Sequence, residues 1–367
     1  MRVLGIESSC DETAVGICEI SDSKLNVLSN VLVSQIDIHK AYGGVVPEVA
    51  ARSHIEAIIP TLESSLEQAF PDQDAETAWN FIDAIAVTYG AGLSGSLLIG
   101  ALTARSIAIA KQKPLYACNH IEAHVFANFI TGDHRSVPDE QKYKLPLRAP
   151  EFPLLALIVS GRHTQLVLFE NYSEYQILGR SHDDAIGEAF DKVAKMTGLP
   201  YPGGPSVAAR AELGNPFAFE LPKANMSGRY DFSYSGVKTA VLRKAQELCG
   251  KDFSLPSKDL PALLSPEAID DICAVFQRVA VETVVEKTVL AFEEFSPKSV
   301  VIAGGVAASS ELRRQLQENL PIAPSYTDPR LCTDNGAMIA ALGCIRINQG
   351  ASQADPYSLE IDPSLTM

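Results

Sequence analysis

Residues 2–20 read Arg2-Val-Leu-Gly-Ile-Glu7, then Ser8-Ser-Cys-Asp-Glu-Thr13, then Ala14-Val-Gly-Ile-Cys-Glu-Ile20. Two aliphatic runs flank a polar centre, which predicts a pair of strands joined by a polar turn. The same grammar returns at 154–170, where Leu154-Leu-Ala-Leu-Ile-Val159 passes through Ser160-Gly-Arg-His-Thr164 into Gln165-Leu-Val-Leu-Phe169. Each opening is followed, after helix-like sequence, by another apolar strand: 82–87 in the first half and 299–303 in the second. Both of those strands run into glycine-rich turns, Gly90-Ala-Gly-Leu-Ser-Gly95 and Gly304-Gly-Val306, and then into helical patterns. Such a turn lets backbone N–H groups approach a phosphate at a helix N-terminus. The expectation is an α/β protein with two related lobes facing a nucleotide.

Composition agrees with two lobes. At 367 residues and 46% hydrophobic content the chain has the size of two ordinary globular domains. The expected division is 1–130 for the first lobe, 131–151 for a proline-containing linker, 152–347 for the second lobe with an irregular substrate-side insert at about 200–265, and 348–367 for a loosely ordered polar tail. The N-terminal apolar run is too short for a signal-peptide core. The longest apolar stretch, 91–110, is broken by glycines and Arg105, so no membrane span is expected. Seven cysteines without a C-x-x-C pair argue against a disulfide framework or a thiolate metal site and for a reducing cytoplasm. A net charge of −15 opposes unaided nucleic-acid binding, which draws on lysines and arginines that displace phosphate counterions.

Three local patterns carry chemistry. His120-Ile-Glu-Ala-His124 places two imidazoles one turn apart on one helix face, where they can chelate a metal or simply sit on a surface. Ile121 stands where the zinc-peptidase pattern requires glutamate, so that activity is disfavoured. Cys332-Thr-Asp-Asn-Gly-Ala337 reads as a polar turn entering an apolar helix, with Thr333 or Asp334 as a plain N-cap. Gly187-Glu-Ala-Phe-Asp-Lys192 is followed by Tyr201-Pro-Gly-Gly-Pro205; Asp191 falls among polar positions, and the diglycine suits close approach to a ribose or base.

Val3-Leu-Gly-Ile-Glu-Ser-Ser-Cys-Asp-Glu-Thr13, Tyr42-Gly-Gly-Val-Val-Pro-Glu48, the histidine pair, Gly187–Lys192, Tyr201–Pro205, Asp231-Phe-Ser-Tyr-Ser-Gly236 and Cys332–Ala337 occur in that order. Together they resemble the bacterial tRNA N6-adenosine threonylcarbamoyltransferase (TsaD) family over about residues 1–347. The resemblance implies an actin-like ATPase and sugar-kinase fold, a duplicated ribonuclease H-like unit with a nucleotide cleft between the lobes. It implies transfer of threonylcarbamoyl from threonylcarbamoyl-AMP to N6 of the adenosine beside the anticodon, in tRNAs reading codons that begin with A. It implies one iron ion per chain, with zinc as the alternative, held by His120, His124 and Asp334. Ile158, Val159, Ser160, Gly161, Arg162, Asp191, Gly204 and Ser309 are implied to bind substrate, and Glu12 to face the reaction centre. A fold-related TsaB-like subunit and a small TsaE-like ATPase are the implied partners.

The chain departs from the family pattern at four positions: Arg162 in place of glycine, Ala91 in place of proline, Ser309 in place of asparagine and Ala208 in place of aspartate. Two rival functions share the fold: an ATP-dependent small-molecule kinase and a degenerate scaffold of the tRNA-modifying complex. The histidine pair and Cys332–Ala337 speak against the first. The complete set of three ligands speaks against the second.

Overall fold

A computed structural model describes residues 1–21, 24–131 and 143–367. In chain order the strands and helices are β1 (Arg2–Glu7), β2 (Glu12–Ser21), β3 (Lys24–Ser34), α1 (Ile36–Lys40), α2 (Pro47–Ala69), α3 (Ala75–Ala78), β4 (Ala84–Gly90), α4 (Ser94–Lys111), β5 (Leu115–Asn119) and α5 (His120–Phe126). They continue with β6 (Leu154–Val159), β7 (Thr164–Phe169), β8 (Tyr175–Arg180), α6 (Ile186–Met196), α7 (Gly203–Ala211), α8 (Ser235–Leu248), α9 (Pro266–Phe295), β9 (Ser299–Ala303), α10 (Ser310–Asn319), α11 (Pro329–Cys332) and α12 (Gly336–Asn348).

The chain forms two compact units, 1–150 with 326–367, and 151–325. The first contains a five-stranded sheet in the order β3-β2-β1-β4-β5. β1 pairs antiparallel with β2, and β2 with β3, whereas β4 and β5 run parallel to β1. The second contains the order β8-β7-β6-β9, again with two antiparallel pairings and one parallel. A parallel bridge from Val301 to Ser325 stands beside β9, where the first unit has its fifth strand. One topology is therefore used twice, as the repeated strand–turn–strand openings predicted.

Packing in the first unit turns on glycine. Gly5 and Gly16 are register partners on β1 and β2, and α12 lies directly on them. A Cβ on Gly5 would stand 2.2 Å from the Ala340 nitrogen, and one on Gly16 2.4 Å from that of Ala337. Gly336 is equally tight, its added Cβ meeting the Gly16 nitrogen at 2.1 Å. α12 is buried from Gly336 to Ile345, so its apolar run is a core helix.

That packing corrects the expected boundaries. Residues 326–347 belong with the first unit, because the apolar surface that α12 must bury is supplied by β1 and β2. The segment 348–367 is not a loose tail. Arg105 of α4 donates to the carbonyls of Pro356, Tyr357 and Leu359 at 2.6, 2.7 and 3.3 Å, and Ala354 bridges Leu115. The stretch 200–265, expected as irregular, carries α7, α8 and a 3-10 turn at 257–262. Of the expected linker, 132–142 lies outside the described residues; Tyr143 and Lys144 attach to the first unit through Asn30 and Asp328.

Candidate metal centre and nucleotide-binding turn

β5 runs straight into α5. The Asn119 side chain makes this possible by accepting the N–H groups of Ile121 and Glu122 at 2.8 and 3.4 Å, which caps the helix. His120 and His124 then share one face, with ring centroids 4.7 Å apart. Glu122 points elsewhere and pairs with Arg346, tying α5 to α12. At the head of α12 the cap is Asn335, not Thr333 or Asp334 as expected: its Oδ1 accepts the Met338 N–H at 2.9 Å while its amide donates to Thr333 and Leu331. Asn335 has the short amide side chain this geometry needs and is fully buried. Asp334 is thereby released from capping.

The three expected ligands meet. Asp334 Oδ1 is 3.1 Å from His124 Nε2 and 3.5 Å from His120 Nε2. One ligand atom from each residue falls within a 4.8 Å span. His124 is 3% exposed; its Nδ1 has no hydrogen-bond partner, and its Nε2 faces only the Asp334 carboxylate. A buried imidazole in that condition fits a metal bond better than a packing role. His120 Nδ1 lies 3.1 Å from Glu7 Oε2 and 3.2 Å from Ser9 Oγ, so Nε2 is the nitrogen left toward Asp334. Two imidazoles and a carboxylate fit iron or zinc and leave open positions for substrate oxygen.

Glu7 and Ser9 are the functional residues that sequence reading missed. Glu7 ends a buried strand with zero exposure, held by the Thr88 hydroxyl at 2.6 Å and the Ser9 N–H at 2.5 Å. Burial alone would raise its carboxyl, yet the charge and hydrogen bond of His120 hold it below the ordinary carboxylate range. A carboxylate closing an otherwise apolar strand was the available signal. Glu12 begins β2 instead of lying in the turn. Burial, followed by the charges of Asp334 and Asp11, pushes its carboxyl well above the ordinary range.

The other expected residues all lie in the second unit, around the C-terminal ends of the parallel strands β6 and β9. The side chains of Ile158 and Val159 are fully buried in the core, so they offer a ligand only backbone. Ser160 shapes the turn: its hydroxyl accepts the N–H groups of Arg162 and His163, at 3.3 and 3.0 Å. Gly161 and Arg162 are exposed, with open space where a Gly161 side chain would begin. The carbonyl of Ser160 accepts the Gly187 N–H near the start of α6. One turn along α6, Asp191 Oδ1 takes the Gly203 N–H at 2.6 Å and so fixes the N-terminus of α7. The adjacent Gly204 faces open space. Ser309 caps α10 through the Leu312 N–H.

The two glycine-rich turns differ from expectation. A Cβ on Gly90 would stand 2.1 Å from the Asp362 carbonyl, and one on Gly92 2.5 Å from that of Ser9. Their missing side chains make room for the chain itself, not for a phosphate. Gly304 has φ +90° and presses on the Val159 carbonyl, joining the second turn to β6.

The sequence model of the family described as tRNA N6-adenosine threonylcarbamoyltransferase matches residues 26–341. A protein of that name from Thermomicrobium roseum is 46% identical over 347 residues, covering 93% of this chain and 90% of the relative. One from Dehalococcoides mccartyi is 42% identical over 369 residues, covering 100% and 99%. Among solved structures, T. kodakarensis HypF superposes with a TM-score of 0.57 at 12% identity, over 96% of this chain and 48% of that one; this likeness concerns fold alone. With the duplicated actin-like topology, the seven ordered motifs and near full-length identity above 40%, the chain belongs to the tRNA N6-adenosine threonylcarbamoyltransferase (TsaD) family.

Proposed function

We infer that this chain transfers the threonylcarbamoyl group to N6 of the adenosine beside the anticodon in tRNAs that read codons beginning with A, with threonylcarbamoyl-AMP as donor and AMP as the product released. Family membership over nearly the full length carries this reading. The cluster of His120, His124 and Asp334 supports it against a scaffold role, since a scaffold has no use for two buried imidazoles turned onto one carboxylate. No comparable observation favours a kinase.

His120, His124 and Asp334 would hold the ion, proposed as iron, with Glu7 and Ser9 fixing the tautomer of His120. When bound, such a cation polarises phosphate or carbonyl oxygen and stabilises developing negative charge. The turn Ser160–Arg162, Asp191, Gly204 and Ser309 would bind the nucleotide of the donor, largely through backbone groups. As N6 bonds to the carbamoyl carbon it loses one proton, and the bond from that carbon to the phosphate oxygen breaks as AMP leaves. Glu12 Oε is proposed to hold or exchange that proton, because a carboxyl that burial raises well above its ordinary range is suited to proton transfer.

A fold-related subunit and a small ATPase are proposed to complete the assembly. In support, α2 and α4 pack together and leave Ile55, Ile59, Leu98 and Leu102 exposed as an apolar face. No helix among the described residues is long and apolar enough to cross a membrane, and all seven cysteines are free thiols, which suits the proposed cytoplasmic location. The test is incubation with synthetic threonylcarbamoyl-adenylate, unmodified tRNA and candidate partners, followed by nucleoside mass spectrometry. Absence of the modified adenosine under all partner combinations would overturn the reading.

A further inference from the structure

Beside the turn between β6 and β7 the second unit has a polar recess of about 300 Å³, lined in part by Arg162, Gln165, Arg180, His182 and Asp183. Strand register explains why these residues meet. Gln165 of β7 lies opposite Ile158 of β6 and Arg180 of β8, and directly opposed residues share one face of a sheet. Thr164 faces the other way, where its hydroxyl accepts the Ile186 N–H at the start of α6. Gln165 and Arg180 therefore stand on the face away from α6, the helix that carries Asp191.

Charge in the recess is unbalanced. Arg162 and Arg180 are exposed, and among the described residues neither guanidinium makes a hydrogen bond or an ion pair. The nearby acids already carry other partners. Asp183 accepts the Ser233 and Ser235 hydroxyls at 2.5 and 2.6 Å and the Tyr234 N–H at 2.8 Å, so its charge serves the N-terminus of α8. Asp231 pairs with His182 Nε2 at 2.8 Å and accepts the backbone N–H of Arg180 at 3.1 Å. Gln165 is only 6% exposed, and its Oε1 is buried without a donor. A site with two uncommitted guanidiniums and an orphaned acceptor calls for a ligand that carries an anion and a nearby hydroxyl or amine donor.

We propose that this recess binds one nucleotide of the RNA backbone of the acceptor, its phosphodiester held by Arg162 and Arg180 and its ribose 2′-hydroxyl donating to Gln165 Oε1. RNA presents this anion and this donor within one nucleotide, and the 2′-hydroxyl is what separates it from DNA. The phosphate of an adenylate is the same kind of anion, so the test must separate the two. The inference rests on tRNA being the acceptor.

The experiment uses the assembly reconstituted with its partners and reads modified nucleoside against tRNA concentration, adenylate concentration and salt. Arg180→Gln should raise KM for tRNA roughly 5–10-fold and lower the slope of log affinity against log salt by about one, with KM for the adenylate unchanged. Arg180→Lys should restore most of the affinity. An RNA anticodon stem–loop should compete better than DNA of the same sequence. The proposal is overturned if Arg180→Gln keeps the wild-type KM and salt slope, if only KM for the adenylate rises, or if DNA competes equally. A wild type that modifies tRNA beside an indifferent Arg180→Gln sinks this inference alone. A wild type that forms no modified nucleoside sinks the functional reading and this inference with it.

Discussion

His124 carries the metal prediction at the scale of single residues. Its ring is buried with Nδ1 unpartnered and Nε2 turned onto Asp334, so the double substitution His120→Ala, His124→Ala should remove bound metal while leaving the fold intact. Metal analysis of the purified protein checks this; an undiminished metal content would refute the assignment. Asp328 offers a test in stability. Burial alone would raise its carboxyl, but the Arg330 guanidinium at 2.9 and 3.1 Å, together with the Lys144 and Arg330 N–H groups, holds it down at about 2. A depressed carboxyl contributes stability above its unfolded value of about 3.9, and that contribution is lost as pH falls through the folded value. Because Arg330 is 49% exposed, solvent screening reduces the contribution to about 1 kcal/mol. Denaturant titrations should therefore show Asp328→Asn less stable than wild type at pH 7, with the gap closing between pH 4 and about 2. A gap that stays constant over that range would contradict the ion pair's role.

Elements meet in this protein through the absence of side chains. Gly16 lets α12 reach β2, and the Cβ of alanine would stand 2.4 Å from backbone that cannot rotate away. Gly16→Ala should cost about 3 kcal/mol or more, at the upper end of overpacking effects, read as a lower denaturation midpoint or loss of soluble protein. Gly204→Ala, with nothing within 4 Å, should leave the midpoint within about 0.5 kcal/mol, as surface substitutions usually do. Equal midpoints for the two variants would show that the helix–sheet contact is softer than its geometry indicates.

For the whole molecule, the C-terminal segment and the net charge matter most. Arg105 gathers three carbonyls of 356–359, so Arg105→Ala should free that segment and cost about 1–3 kcal/mol through lost charge-assisted bonds. Limited proteolysis should then cut after residue 350 faster than in wild type, and an unchanged cleavage pattern would contradict the clamp. The charge of −15 opposes a polyanionic substrate, so the isolated chain should bind tRNA weakly and turn over slowly, gaining rate when partners are added. Rapid multiple turnover by the chain alone at physiological salt would refute this dependence.

The sequence by itself determined the repeated topology, because alternating apolar runs around 8–13 and 160–164 leave little choice but strand–turn–strand, and ordered motifs tied that topology to a family. It also contained the histidine pair, since helical spacing is a local property. Only tertiary structure decided that Asn335 and not Asp334 caps α12, that Glu7 and Ser9 hold His120, and that 326–367 returns to the first unit. The reason is range. Glu7 is 113 positions and Ser9 111 positions from His120, burial of α12 on Gly5 and Gly16 is a contact between chain ends that no local period encodes, and the choice of Asn335 as cap, though local, follows from how that burial seats the start of α12.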